Sequence, residues 1–170
     1  MPRIALDVMG ADAGLSPLVA GAAQLSREDE DIEILLVGDQ PGISELLGEL
    51  RYDATRLAVV HADDFVEPGE VPGEALERKP AASILQAVSL VAEGEADALV
   101  SAGNTGAMIL AASMGFERLP GVSRAALAAV HPTEQRHGPK NDPFALILDV
   151  GATVECRAED LLGFAIMGCA

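Results

Sequence analysis

Ala96-Asp97-Ala98-Leu99-Val100 leads into Ser101-Ala102-Gly103-Asn104-Thr105-Gly106-Ala107, and that into Met108-Ile109-Leu110-Ala111-Ala112. The first segment is a short apolar run of the kind that forms a buried strand, and the last is apolar and rich in helix formers. Between them stand two glycines, a serine, an asparagine and a threonine, so the chain turns from strand to helix within a few residues. Glycine permits positive φ and close backbone approach, while Ser, Asn or Thr can cap the following helix. A helix begun this way directs free N–H groups and the positive end of its dipole beyond the strand. The turn is therefore a candidate site for a phosphate or another small anion, with a plain capped turn as the alternative.

Working outward, apolar runs at 3–8, 32–37, 57–60, 96–100, 125–130 and 144–149 read as strands. Each is nearly continuously apolar, as strands covered on both faces are. Helical patterns separate most of them. Ser16-Pro17 is expected to cap and open a helix through about Ser26, with further helices over 43–50, 81–93, 105–118 and 158–168. Alternating strands and helices predict an α/β fold, a three-layer sandwich around a mainly parallel sheet. Residues 64–80, punctuated by Glu67-Pro68-Gly69-Glu70-Val71-Pro72-Gly73, read as a long surface loop. Residues 132–143, with Pro132, Gly138, Pro139 and Pro143, read as a second.

Composition sets further bounds. The 170 residues are 49% hydrophobic with 17 glycines and 10 prolines, which fits one globular domain rather than a disordered chain. A formal net charge of −16 argues against nucleic acid and against a polybasic lipid contact. Two cysteines without a C-x-x-C and three histidines without ligand spacing give no disulfide framework and no metal site. No Walker loop is present, so ATP is not implied. Neither a signal peptide nor a run long enough to span a bilayer is found, which leads to a cytoplasmic expectation. His131 and His137 lack a Ser or Cys partner in a recognisable elbow, so no catalytic triad is read.

Several segments, in order, resemble the bacterial phosphate acyltransferases of the PlsX family. Besides Ser101–Ala107 they are Ile4-Ala5-Leu6-Asp7-Val8-Met9-Gly10-Ala11-Asp12, Val37-Gly38-Asp39, and Ala75-Leu76-Glu77-Arg78-Lys79-Pro80-Ala81-Ala82-Ser83. Pro120–Arg124, Leu148-Asp149-Val150-Gly151-Ala152 and Phe164–Gly168 complete the set. Four positions depart from the family pattern: Ala11 for glycine, Glu77 for a base, Ala82 for serine and Thr153 for asparagine. The resemblance implies an isocitrate-dehydrogenase-like, Rossmann-like fold, with 1–170 as a single α/β domain. This domain corresponds to the amino-terminal half of proteins about twice as long, so the chain is expected to be truncated.

The activity so implied joins an acyl group from acyl carrier protein to inorganic phosphate, giving acyl phosphate for phospholipid synthesis. A homodimer is also implied, with no cofactor and at most peripheral membrane contact. Candidate phosphate or substrate groups are Ser101, Gly103, Asn104, Thr105, Gly106, Arg78, Lys79 and Ser83. Asp7, Gly10, Asp12, Asp149 and Gly151 are expected at the edge of the site, because open α/β sheets bind ligands beyond the carboxyl ends of their strands. For Asp7 and Asp149 an Asx turn or N-cap is the competing reading, and for Asp12 a solvated carboxylate. Arg78 and Lys79 either clamp an anion or pair with Glu74 and Glu77. Ser83 either caps its helix or bonds a phosphate oxygen, and Arg124 is read as structural. Two rival functions stand beside this one. One is a non-catalytic remnant that binds an anion or a partner. The other is a phosphotransacetylase-like enzyme acting on acyl coenzyme A.

Overall fold

In a computed structural model, residues 1–118, 120–137, 142–153 and 155–169 are described. They form two compact units, Met1–Phe116 and Glu117–Ala170.

The first unit is built on a parallel sheet of β1 (Arg3–Asp7), β2 (Glu33–Gly38), β3 (Leu57–His61) and β4 (Ala98–Ser101), in the order β3-β2-β1-β4. Side-chain alternation divides the strands between two apolar layers. Leu36 and Ile34, with Val8 just past β1, face α1 (Leu15–Glu28) and α2 (Gln40–Glu49), packing on Val19, Ala22, Ile43 and Leu47. Ala5 and Val37 face the other way, with Ala87 of α4 (Ser83–Ala92) and Ala96. A third cluster joins α4 to α3 (Pro72–Arg78) and α5 (Thr105–Gly115) through Leu76, Val88, Ala107 and Ala111. Helices thus cover both faces, and the expected three-layer α/β arrangement around a parallel sheet is present. Along α1, next to Ile4, Leu6 and Val100, an apolar cleft of about 370 Å³ remains open.

The second unit holds β5 (Ala128–His137), β6 (Asp142–Leu148) and α6 (Ala158–Cys169). β5 and β6 pair antiparallel, with Ala128 opposite Leu148 and an irregularity between Pro132 and His137. The expected loop over 132–143 is corrected accordingly: residues 132–137 and 142–143 belong to strands. Thr133 Oγ1 donates to the Pro143 carbonyl across the pair at 2.8 Å, one reason a polar segment holds strand geometry. Gly138 and Pro139 lie outside the described residues. Arg124, read as structural, lies 3.7 Å from the buried Asp160. On α6, Phe164 is buried whereas Leu161, Leu162 and Ile166 are exposed.

Three local expectations in the first unit are also corrected. α1 starts at Leu15 after Gly14 at φ 75°, so Ser16 lies inside the helix and no side chain caps it. α2 starts earlier than its leucine spacing suggests, because Asp39 accepts from Gly42 N at 3.0 Å and Pro41 fits the first turn. The segment 64–80 is not all loop, since α3 runs from Pro72 to Arg78. Proline at the start of a helix costs no hydrogen bond, so the same residue that suggests a loop opens this helix. Among the described residues, no helix is long and apolar enough to cross a membrane.

Candidate functional site

Parallel register sets Asp7, the last residue of β1, beside Ser101, the last residue of β4. Both side chains leave the sheet on the α4 face. Ser101 Oγ donates to Asp7 Oδ2 at 2.8 Å and accepts from Gly103 N at 3.2 Å. Met9 N donates to Asp7 Oδ1 at 3.1 Å. Ser83, 1% exposed at the first position of α4, adds a hydroxyl bond to the same carboxylate. Ser83 therefore does not cap its helix: the N-cap is Ala82, with no side-chain cap bond.

Asp7 is 3% exposed, and burial raises its pKa above the usual carboxylate value. The hydrogen bonds from Ser83, Ser101 and Met9 N pull the other way without cancelling it. A raised pKa in the folded state means that protonated Asp7 stabilises the fold below about 3.8, its unfolded value. That contribution is lost as pH rises through the folded pKa. Asp7→Asn keeps the shape and removes the charge. Its melting temperature relative to the parent should therefore rise as pH increases from about 3.8 toward neutrality. Paired thermal scans across that range check this, and a difference that stays flat with pH would show that burial does not penalise the carboxylate.

Asn104 is the N-cap of α5, and its Oδ1 accepts from Ala107 N at 3.0 Å. The other end of the amide works outward. Asn104 Nδ2 donates to the carbonyls of Glu67 at 3.2 Å, Pro68 at 3.4 Å and Glu70 at 3.2 Å. This ties the 64–72 strap to the start of α5. Two glycines let the strap close down. A Cβ on Gly10 would stand 2.8 Å from the Val66 carbonyl, and one on Gly106 would stand 2.6 Å from Pro72 Cγ. Beneath it, Asp7, Ser83, Ser101, Gly103 and Asn104 line a cavity of about 10 Å³, room for roughly one water.

Arg78 and Lys79 end α3 and face the strap. The carboxylate they share is that of Glu70, not Glu74 or Glu77. Glu70 Oε1 lies 2.9 Å from Arg78, and Oε2 lies 2.7 Å from Lys79. Lys79 Nζ also donates to the Phe65 carbonyl at 2.8 Å and lies 3.6 Å from Asp64. Hydrogen bonding to Lys79 lowers the Glu70 pKa, and the same bond raises that of Lys79. Glu70, Val66 and Pro72 escaped the reading of the sequence. Only the punctuation of 64–80 marked the region, and ion pairs between residues so spaced leave no local pattern.

Thr105 and Asp12 are exposed in the first unit. Asp149 and Gly151 belong to the second unit, at φ 62° and 123°. Asp149 makes a turn contact there: its Oδ1 accepts from Thr153 N at 3.2 Å and its Oδ2 accepts from Cys156 Sγ at 3.5 Å. Among the described residues, no group of three or more His, Cys, Asp or Glu is placed to hold a metal.

A parallel sheet covered by helices on both faces, with a glycine-rich strand-to-helix turn and polar groups at the strand ends, defines an α/β protein. EutD phosphotransacetylase from Staphylococcus aureus is similar, with TM-score 0.61 and 19% identity, over 97% of this chain and 51% of that one. More specifically, residues 2–170 match the family described as fatty acid synthesis protein, and the chain belongs to that family. Phosphate acyltransferases are its relatives. That of Thermosynechococcus vestitus is 46% identical over 166 residues, 98% of this chain and 46% of the relative. That of Oleidesulfovibrio alaskensis is 41% identical over 167 residues, again 98% and 46%. That of Erythrobacter litoralis is 39% identical over 170 residues, 100% and 46%. The chain spans about half the length of the curated relatives it matches.

Proposed function

We propose that this chain carries the phosphate-holding part of an acyltransferase that moves an acyl group from acyl carrier protein to inorganic phosphate. One observation supports this reading above the others. Asp7, Ser83, Ser101, Gly103 and Asn104 converge at the start of α5, in a member of a family whose relatives are phosphate acyltransferases. The first N–H groups of α5, at Thr105 and Gly106, have no partner within the helix and suit an oxyanion. Asp7 and Ser101 fix the turn that presents them. A phosphate oxygen held there attacks the thioester carbonyl, the C–S bond breaks, and the carrier thiol leaves with a proton. Holding the nucleophile in place supplies proximity, and the N–H donors orient it without a covalent enzyme intermediate.

A homodimer, a cytoplasmic location with at most peripheral membrane contact, and the feeding of acyl phosphate into phospholipid synthesis belong to the same proposal. The test is acyl phosphate formation by the purified chain, given long-chain acyl carrier protein and phosphate, with Asn104→Ala alongside. Turnover that collapses in the variant supports the reading. A folded chain without turnover favours the rival reading, an anion- or partner-binding half-domain. Turnover with acyl coenzyme A in preference to acyl carrier protein would favour the phosphotransacetylase-like alternative.

A further inference from the structure

We propose that Arg78 and Lys79 form an exchangeable oxyanion site, in which the Glu70 carboxylate holds the place of a phosphate. The inference rests on phosphate being a ligand of this protein, and it adds a device that sets the affinity.

Glu70 offers one oxygen to each base, Oε1 to Arg78 at 2.9 Å and Oε2 to Lys79 at 2.7 Å. A carboxylate bridging a guanidinium and an ammonium in this way presents them with what two phosphate oxygens would present. The surroundings are otherwise poor in positive charge, since the chain carries −16. Asp64 stands 3.6 Å from Lys79, and the Glu67 charge also acts on it. Two adjacent bases bridged by a single carboxylate, Glu70, form a site that an incoming dianion can take over. It brings more charge than the carboxylate it displaces.

Exchange is coupled to the strap. Glu70 Oε2 accepts from Glu67 N at 2.9 Å, and the Glu70 carbonyl accepts from Asn104 Nδ2 at 3.2 Å. Displacing the carboxylate therefore loosens the turn at 67–70. That turn lies over the start of α5, where the cavity of about 10 Å³ is too small for phosphate while the strap is closed. Arrival of phosphate at the bases and opening of the cavity become one event.

The test is titration of the chain with inorganic phosphate at constant ionic strength, followed by phosphorus NMR or calorimetry. Glu70→Gln removes the competing charge and keeps the size. It should tighten phosphate binding by about tenfold, because a like charge no longer has to be displaced. Adding Lys79→Ala to Glu70→Gln should abolish the gain. Unchanged or weaker binding in a folded Glu70→Gln protein overturns the proposal. Should that variant not fold, the parent still decides: saturating phosphate, but not chloride, should raise hydrogen exchange over 64–72, and no rise overturns it. The two readings fail separately. Tighter phosphate binding without acyl phosphate synthesis keeps the exchange site and removes the enzyme, whereas synthesis with an unaltered KM for phosphate in Glu70→Gln does the reverse.

Discussion

Gly10→Ala should lower the stability of the first unit by about 2–4 kcal/mol, a fall in melting temperature of about 8–16 °C. Two costs add at this residue. Gly10 has φ 72°, where an alanine is strained by about 1–2 kcal/mol. Its new Cβ would also stand 2.8 Å from the Val66 carbonyl and 3.6 Å from Gly103 Cα. The near atom is backbone, so relief requires the strap to lift rather than a side chain to rotate. Gly21→Ala is the control: it lies within α1, and a Cβ there meets nothing within 4 Å. Alanine at that position should stabilise by about 0.5–1 kcal/mol. Thermal scans of the two variants should move in opposite directions, and equal melting would mean that the strap does not bear on Gly10. Because Gly10 touches both the strap and the Ser101–Asn104 turn, the same change should weaken phosphate binding.

The parts of this structure legible in the sequence are those written in neighbouring residues. Val100–Ala107 spells a strand end, a close-approach glycine and an asparagine cap, and all three are found where the letters place them. The meeting of Asp7 with Ser101 comes one step further, from the rule that the carboxyl ends of parallel strands lie together. What failed was set in large part by non-local pairing. Pro72 suggests an interruption and instead begins a helix, because a proline is compatible with a first turn whenever the residues after it are helical. Glu70, rather than Glu74 or Glu77, takes Arg78 and Lys79 because the strap folds back across α3. β5 and β6 are apolar enough to read as strands, but nothing local distinguishes a hairpin from one more pair of strands in the parallel sheet.

Asn104 separates a cap from a clasp, and the substitution that tells them apart is Asn104→Asp rather than alanine alone. Asn104→Ala removes the bond from Ala107 N and the three bonds to the strap carbonyls. The cap contributes about 1 kcal/mol and the released carbonyls add to that, for a loss of about 2–3 kcal/mol. Aspartate caps helices as well as asparagine does, and its charge favours a helix N-terminus. Were capping all that residue 104 did, Asn104→Asp would match or exceed the parent in stability. The structure leads to the opposite expectation, because the carboxylate would turn an acceptor oxygen toward the carbonyls of Glu67, Pro68 and Glu70. Asn104→Asp should therefore melt below the parent and lose hydrogen-exchange protection over 64–72 while α5 stays protected. It should also repel phosphate from the start of α5, so binding falls further than in Asn104→Ala even where stability falls less. Parent-like melting and exchange in Asn104→Asp would reduce Asn104 to a cap and leave the strap held by its other ties, among them the bridge from Glu70 to Arg78 and Lys79.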